Sequence, residues 1–199
     1  EREIKKARFF DQHGIPPGNF TVAGMGSATL RKGIDHFVEI CRIATASHDD
    51  ISFVWIGDFI EDDVREIITK KISDYRLEGK IQITGFLPNS PLNLLPFDVL
   101  ALTSREDPYP LVTLEAAALS LPTICFSGSG GSEEFIGEDA GIIVPVGSHE
   151  AFAEAIYKLK NDPDLCRAKG DAARQKVLNR HSNPTVIISQ FQKAIDGVA

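Results

Sequence analysis

Short apolar runs alternate with segments of helical periodicity along most of this chain. The runs cover residues 21–24, 51–57, 80–84, 98–103, 122–126 and 141–144, and each predicts a strand. Between them, apolar side chains recur three or four positions apart, as at Ile34, Phe37 and Val38, and also over 64–72 and 111–119. Strands that alternate with helices are typical of a parallel sheet covered on both faces. We therefore predict an α/β fold with a Rossmann-like open parallel sheet.

The pattern becomes wholly helical after the last predicted strand. Apolar positions at helical spacing begin with Phe152, and Pro163 ends this helix. Further helices are predicted near 164–180 and 184–196, and an opening helix precedes the first strand. The prediction is one domain over residues 1–199, with a core sheet over about 18–146 and a helical tail over about 147–199.

Composition and charge exclude several classes of function. The 199 residues carry a net charge of −7, whereas nucleic-acid binders carry surplus Lys and Arg, so no nucleic-acid partner is expected. No apolar run approaches the roughly 20 residues of a membrane-spanning helix. The N-terminus also lacks the basic region followed by an apolar stretch that marks a signal peptide, so we expect a cytoplasmic protein. Cys41, Cys125 and Cys166 lie far apart, which predicts buried free thiols.

The loop after the first predicted strand is one candidate for ligand binding, because open parallel sheets bind ligands at the carboxyl ends of their strands. Its glycines, Gly26 among them, let backbone amides approach an anion, and the next helix presents its positive end. Lys32 adds a full charge. The loop lacks the third glycine of a dinucleotide fingerprint and is not a Walker A loop. The alternative is a tight turn that carries a solvated Arg-Lys pair.

The loop after the fourth predicted strand is the second candidate. Two prolines force an extended entry into a helix that begins near Leu111, and Pro110 offers its first amides no side-chain cap. Uncapped amides favour an anion. Asp107 in the loop and Glu115 inside the helix can each accept hydrogen bonds from hydroxyl groups. This pattern suits a ligand with phosphates in its middle and sugars at both ends.

The segment from Asp107 to Glu115 resembles the acidic-residue, seven-spacer, glutamate signature of retaining GT-B glycosyltransferases, especially family 4. The segments 31–33, 83–87 and 130–145 also fall in the family's order, so the resemblance covers almost the whole chain. It implies the C-terminal half of a GT-B fold, which binds a UDP- or GDP-sugar for retaining transfer to an acceptor hydroxyl. It implies no bound metal or other cofactor. The N-terminal acceptor domain of such an enzyme is expected to be missing from this chain.

The same resemblance implies roles for individual residues. The donor would contact Gly26, Ser27, Arg31, Lys32, Phe86, Leu87, Asp107, Pro110, Leu111, Val112 and Glu115. Glu115 would hold the ribose, Lys32 the diphosphate, and Asp107 would lie near hydroxyls of the transferred sugar. Lys32 and Asp107 are therefore the expected catalytic residues. The turn at Phe86 would border the base, and amides of the glycine loop and of the helix start would cradle the phosphates.

Two positions depart from the family pattern. The usual first acid is a glutamate, but Glu106 is out of register by one residue and Asp107 takes its place, which predicts a shorter sugar contact. The usual arginine after the first-strand glycine is Ser27 here, which leaves Arg31 as the candidate substitute.

Several of these residues also have ordinary structural interpretations. Asp107 precedes a proline and can simply form a turn, Glu115 can be an exposed helix residue, and Arg31 can be a solvated charge. Glu134 can cap or pair locally rather than contact the donor.

No metal site is predicted. The acid-x-acid spacing of Asp162 and Asp164 falls between two tail helices, where a helix break is expected. The histidines show no ligand spacing; they are His13, His36, His48, His149 and His181.

Other functions remain open from the sequence. Another GT-B enzyme, such as a nucleotide-sugar epimerase or a phosphorylase, would use the same half-fold. A catalytically silent nucleotide-binding or interaction module is a second alternative. A dinucleotide oxidoreductase is disfavoured, because Gly57 rather than an acid ends the second strand and Asp58 comes only afterwards. Membrane association of a longer protein stays open.

Overall fold

A computed structural model describes residues 2–88 and 90–181, in which strands and helices alternate as the sequence predicts. In chain order the elements are α1 (Arg2–His13), β1 (Phe20–Met25), α2 (Ile34–Thr45), β2 (Ile51–Ile56), α3 (Asp62–Asp74), β3 (Ile81–Ile83), a 3-10 helix (Ser90–Leu94), β4 (Val99–Leu102), α4 (Leu111–Ala118), β5 (Thr123–Phe126), α5 (Gly131–Ile136), β6 (Gly141–Val144), α6 (His149–Asn161) and α7 (Pro163–His181). The helix predicted near 184–196 lies outside the described residues.

The six strands form one parallel sheet in the order β3-β2-β1-β4-β5-β6. The order runs outward from the centre in both directions, with β1 paired to β2 through Phe20 and Ile51 and to β4 through Val22 and Val99. This is the doubly wound order of Rossmann-like folds. The predicted fold class is therefore confirmed.

Both faces of the central strands are buried, which explains why β1, β2, β4 and β5 appear in the sequence as continuous apolar runs rather than as alternating patterns. The edge strand β3 exposes Gln82. In β2, Phe53 and Trp55 belong to the core on one face, and Val54 and Ile56 belong to the core on the other. All four side chains are buried. Burial of such side chains removes apolar surface from water on both sides and holds the carboxyl ends of the strands in fixed register.

The helical tail packs back onto the sheet domain. Ser148 caps α6, since its Oγ accepts a hydrogen bond from the Ala151 amide at 3.3 Å. Farther along α6, the Tyr157 hydroxyl lies 3.2 Å from the Ile43 carbonyl oxygen and 3.1 Å from that of Ala44, at the end of α2. α7 adds apolar side chains to the core that contains α4. The tail therefore supports both helices that follow the central strands.

Burial differs among the three cysteines. Cys41 and Cys125 are free and buried, and burial raises the pKa of both thiols, that of Cys125 to about 12. Cys166, in the first turn of α7, is only half-buried, and its Sγ lies 3.6 Å from the Asp98 carbonyl oxygen. The prediction of buried thiols is thus confirmed for two residues and wrong for Cys166.

Two histidines that are far apart in the sequence meet where α6 packs against α2. His36 Nδ1 and His149 Nε2 are 2.7 Å apart, and both rings contact Phe126 edge-on. The contact is a hydrogen bond only while one ring nitrogen carries a proton and the other does not. Burial lowers the pKa of His36, and the nearby Asp35 carboxylate opposes this effect only in part.

We expect the chain to lose stability as the pH falls below 6.5, the ordinary pKa of this imidazole. The pKa of His36 is lower in the folded chain, so the unfolded chain binds the proton first. The stabilisation is therefore complete above pH 6.5 and is lost as the pH falls toward the folded pKa. Urea denaturation at about pH 7.5 and about pH 5.5 measures the difference in unfolding free energy.

The matched comparison is His36→Gln against His13→Gln, because burial also lowers the pKa of His13. His36→Gln should remove more of the pH dependence, since it also removes the contact with His149. Equal pH dependence in the parent and in His36→Gln would contradict this explanation.

Candidate functional site

The candidate site lies between the carboxyl ends of β1 and β4, where the strand order reverses. The helices that follow these strands cover opposite faces of the sheet: Phe37 of α2 belongs to one core and Val112 of α4 to the other. The diverging helices leave a crevice, which is where open α/β sheets bind ligands. Both candidate loops, 24–33 and 104–110, border it.

The loop after β1 brings the backbone of Gly26 and the side chain of Lys32 together. Gly26 has a φ of 134°, its amide donates to the Ile56 carbonyl at 3.0 Å, and its carbonyl accepts from Trp55 Nε1 at 2.9 Å. A Cβ added at Gly26 would lie 3.7 Å from Lys32 Cε, so the Lys32 side chain runs beside this backbone. Ser27, which follows, is exposed.

The two loops are held together at their bases by a glycine and a threonine. Gly33 has a φ of 74°, and a Cβ there would meet the Thr103 carbonyl oxygen at 1.9 Å, so only glycine fits this approach. Thr103 Oγ1 lies 2.9 Å from the Gly33 carbonyl oxygen and 3.2 Å from that of Lys32. This contact sets where Lys32 leaves the backbone.

The two residues predicted to be catalytic meet in the crevice. Lys32 Nζ donates a short hydrogen bond to Asp107 Oδ2, although the residues lie 75 positions apart. Their side chains are only 20% and 10% exposed, respectively. A pair so shielded interacts more strongly than a surface pair, and the Asp107 carboxylate sits within reach of whatever Lys32 binds.

The acid that faces this crevice is Asp107 rather than Glu106. Asp107 is 8% exposed, whereas Glu106 is exposed. Glu106 contributes its carbonyl oxygen instead, which accepts a hydrogen bond from Arg31 Nη1 at 3.1 Å. Arg31, the candidate substitute for the missing arginine, is itself exposed and lies at the rim of the crevice.

The second loop leads into α4, which begins at Leu111 as predicted. Pro110 is extended, with φ −71° and ψ 115°, and provides no side-chain cap. The exposed Leu111 and the buried Val112 form the first turn, whose amides carry the positive end of the helix dipole. Glu115 follows about one turn later and is half-buried. One helix end therefore brings amide donors and a carboxylate to the same side of the site.

Contacts from a neighbouring loop fix the backbone of Asp107. Its amide donates to the Ser129 carbonyl at 2.8 Å, and a Cβ added at Gly130 would meet the Asp107 carbonyl oxygen at 1.9 Å. Gly130 has a φ of 131°, so both conformation and space require glycine. Ser132 Oγ, one residue into α5, lies 2.8 Å from Thr113 Oγ1 of α4.

Of the two glutamates in α5, the structure gives a local role to the one that the sequence did not single out. Glu133 Oε2 accepts a hydrogen bond from the Gly128 amide at 2.7 Å. Glu134 is exposed. Local pairing of this kind was one of two alternatives for Glu134, and the structure shows it for Glu133.

The turn predicted to border a base lies next to the glycine loop. Gly85 forms a bridge with Gly57, and a Cβ added at Gly57 would meet the Gly26 carbonyl oxygen at 2.0 Å. Phe86 is 81% exposed, and Leu87 packs against the core below it. An aromatic side chain so exposed beside a crevice offers a stacking surface.

A cavity of about 930 Å³ lies at the amino ends of the strands, and none of the predicted donor-binding residues lines it. Both of its lysines are paired with acids of the same cavity, with Lys6 Nζ 3.1 Å from Asp98 Oδ1 and Lys160 Nζ 2.8 Å from Asp50 Oδ2. We therefore assign the candidate site by its chemistry rather than by cavity size.

Within residues 2–88 and 90–181, no three His, Cys, Asp or Glu side chains converge in a way that would hold a metal ion. Asp162 instead accepts a hydrogen bond from the Leu165 amide at 2.9 Å, at the start of α7, where a helix break was expected. None of the described helices is long and apolar enough to cross a membrane.

The chain belongs to the glycosyl transferases group 1 family, whose model matches residues 5–176. Among curated relatives, it is 25% identical over 167 residues to alpha-D-kanosaminyltransferase of Streptomyces kanamyceticus. It is 24% identical over 187 residues to the capsular polysaccharide biosynthesis glycosyltransferase CapM of Staphylococcus aureus. These matches cover 83% and 87% of this chain but only 42% and 45% of the relatives, so the chain spans less than half of their length.

Solved structures agree with this placement. The chain is 22% identical to the C-terminal domain of a glycosyl transferase group 1 protein, LpcC, from Francisella tularensis, with a TM-score of 0.78 over 88% of this chain and 92% of that one. It is 20% identical to Anabaena HepE solved in complex with UDP, with a TM-score of 0.84 over 96% of this chain and 52% of that one. Together with the family match, these likenesses support a C-terminal GT-B glycosyltransferase domain.

Proposed function

We propose that this domain binds a nucleoside-diphosphate sugar and serves a retaining, family 4 type transfer of that sugar to an acceptor hydroxyl. The observation that carries the proposal is the meeting of Lys32, Asp107 and the uncapped start of α4 in one crevice. Family membership and the UDP complex of a structural neighbour support it.

Each part of such a donor has a matching group in the crevice. The diphosphate fits the α4 amides at Leu111 and Val112, with Lys32 as its cation. Glu115, about one turn farther along, is placed to accept hydrogen bonds from the ribose. The base fits against the turn at Phe86. Ser27 and Arg31 remain proposed contacts of the phosphates. Gly26 would let the donor approach its backbone closely, because its amide already donates to the Ile56 carbonyl at 3.0 Å.

Transfer moves negative charge onto the departing phosphate. The bond from the anomeric carbon to the β-phosphate oxygen breaks, the acceptor oxygen bonds to that carbon, and the acceptor proton leaves with the nucleoside diphosphate or solvent. Lys32 and the α4 dipole are preorganised next to that phosphate, so they stabilise charge as it develops. Asp107 is placed to orient the sugar hydroxyls. The acceptor would bind to an N-terminal domain beyond this chain, so this chain alone should turn over little donor.

Binding should not depend on a divalent metal, because Lys32 and the helix dipole supply the positive charge at the phosphates. Calorimetric titration of the chain with a nucleoside diphosphate should give the same affinity with and without an excess of chelator. If the chelator abolishes binding and added magnesium restores it, the metal-free part of the proposal is wrong.

Product analysis separates the alternative enzymes. A longer protein with its acceptor domain should consume an isotopically labelled donor and transfer the sugar with its anomeric configuration retained, as seen by NMR. Release of an epimerised sugar would indicate an epimerase. Formation of a sugar phosphate would indicate a phosphorylase. Tight binding without consumption in the presence of acceptors would indicate a silent nucleotide-binding module.

A further inference from the structure

Arg105 joins the two loops of the crevice, although nothing in its sequence position marked it as functional. Its guanidinium binds both carboxylate oxygens of Asp35, Nη1 to Oδ1 at 2.8 Å and Nη2 to Oδ2 at 2.7 Å. The same Nη1 donates a short hydrogen bond to the Leu30 carbonyl. The Arg105 amide donates to the Arg31 carbonyl at 2.9 Å. Arg105 thus contacts three residues of the first loop and its helix while it belongs to the second loop.

These contacts lie next to the Lys32–Asp107 pair in both loops. Leu30 and Arg31 directly precede Lys32, and Arg105 lies two residues before Asp107. A bidentate pair of a guanidinium and a carboxylate fixes distance and orientation together, which a lysine cannot do. The contacts therefore set how far apart the two loops can lie.

The partial burial and the pKa shifts of Asp35 and Arg105 are those of a stable ion pair. The Asp35 side chain is 18% exposed and that of Arg105 is 43% exposed. Burial raises the pKa of Asp35, but the hydrogen bond and the charge of Arg105 outweigh it, so the pKa lies below its ordinary value. The hydrogen bond with Asp35 raises the pKa of Arg105. Both groups are therefore charged near neutral pH.

We infer that Arg105 is a positioning residue, which acts through Leu30 and Arg31 to hold Lys32 where the diphosphate of the donor binds. The inference rests on the proposed function of the crevice. Arg105 is not assigned a ligand contact, because its guanidinium is already engaged by Asp35 and by the Leu30 carbonyl.

Calorimetric titration with inorganic pyrophosphate tests the inference. Arg105→Ala should weaken pyrophosphate binding by about fivefold, the scale of a well-oriented exposed ion pair. Arg105→Lys keeps the charge but loses the bidentate geometry, so it should fall between the parent and Arg105→Ala. Arg167→Ala is the matched control, because it breaks a comparable exposed pair with Asp164, 2.9 Å long, at the far end of the domain. It should bind pyrophosphate like the parent.

A double-mutant cycle shows whether Arg105 acts through Lys32. In a Lys32→Ala background, Arg105→Ala should cause no further loss, since the cation that it positions is gone. The same fivefold loss in both backgrounds would overturn the inference, and so would parent-like binding by Arg105→Ala.

Melting temperatures keep a folding defect apart from a positioning effect. If Arg105→Ala melts below the parent, the pyrophosphate affinity of Arg105→Lys is used to test the inference instead. Parent-like binding by a stable Arg105→Lys would also overturn the inference. A well-folded parent that binds neither pyrophosphate nor a nucleoside diphosphate would overturn the proposed function itself, which is a distinct result.

Discussion

Replacing Lys32 with alanine should weaken pyrophosphate binding by about 10- to 100-fold and leave the affinity for a nucleoside nearly unchanged. A hydrogen bond between a cation and a phosphate contributes roughly 1.5 to 3 kcal/mol, which corresponds to that range. Lys32 is the cation that pairs with Asp107 in the crevice, and in the proposed complex its charge would contact the phosphates and not the nucleoside. Calorimetric titration with both ligands measures the two affinities.

Asp107→Asn separates loss of the ligand contact from loss of the ion pair. Both Lys32→Ala and Asp107→Asn break the pair, but only Asp107→Asn leaves the cation in place. Because Asp107 then no longer competes for Lys32, this variant should bind pyrophosphate more tightly than the parent. Equal losses in Lys32→Ala for pyrophosphate and nucleoside would instead mean that the fold had been damaged.

In a longer enzyme, Lys32→Ala should have its largest effect on the rate of transfer. Loss of one preorganised donor to a developing negative charge costs on the order of 10² to 10³ in rate. A rate within a few fold of the parent at saturating donor would remove Lys32 from the catalytic residues.

Glu115→Gln should weaken the binding of a ribonucleoside diphosphate by about tenfold or more. The variant keeps the shape of the side chain but removes the charge, so a hydrogen bond worth roughly 1.5 to 3 kcal/mol becomes a neutral one. Glu115 is half-buried about one turn inside α4, beside the amides that would hold the phosphates. Titration with a ribonucleoside diphosphate and with pyrophosphate measures the effect.

Two comparisons make the result specific to ribose. Pyrophosphate has no ribose, so Glu115→Gln should bind it as the parent does. Glu154→Gln changes an exposed glutamate of α6 in the same way and should leave both affinities unchanged. The ribose assignment would fail if Glu115→Gln, with an unchanged melting temperature, bound the ribonucleotide as tightly as the parent.

The strands were predictable because burial on both faces leaves an unmistakable pattern in the sequence. Segments such as 51–57 are apolar at nearly every position, and their short length, with Gly57 at the end, favours a strand covered on two sides over a buried helix. The start of α4 was predictable for a different reason, since Pro110 restricts the backbone just before the helix. In both cases, residues within the segment itself determine the element.

Short elements were missed because their sequences resemble turns. α5 is six residues long and begins at Gly131, directly after Gly130, and a sequence pattern assigns such a pair of glycines to a loop. Tertiary contacts stabilise this helix instead, such as the hydrogen bond between the hydroxyls of Ser132 and Thr113 of α4. The 3-10 helix over Ser90–Leu94 is equally short, and its side chains show no helical periodicity.

Side-chain pairs across the crevice could not be derived from spacing. Lys32 and Asp107 lie 75 positions apart, and Asp35 and Arg105 lie 70 apart. Both residues of the first pair were selected singly, from the chemistry of their loops and then from the family resemblance, but their contact was not predicted. Arg105 had no signal of its own, because a charged residue in a loop looks like a solvated one. The sheet register brings these loops together.

The central claim, that the crevice between β1 and β4 binds a nucleoside diphosphate, is tested most directly by one calorimetric panel. The chain is titrated with UDP, GDP, the matching nucleosides and inorganic pyrophosphate. We expect one nucleoside diphosphate to bind at a single site, more tightly than its nucleoside or pyrophosphate does alone. A chain that melts cooperatively yet binds neither UDP nor GDP would contradict the proposed function.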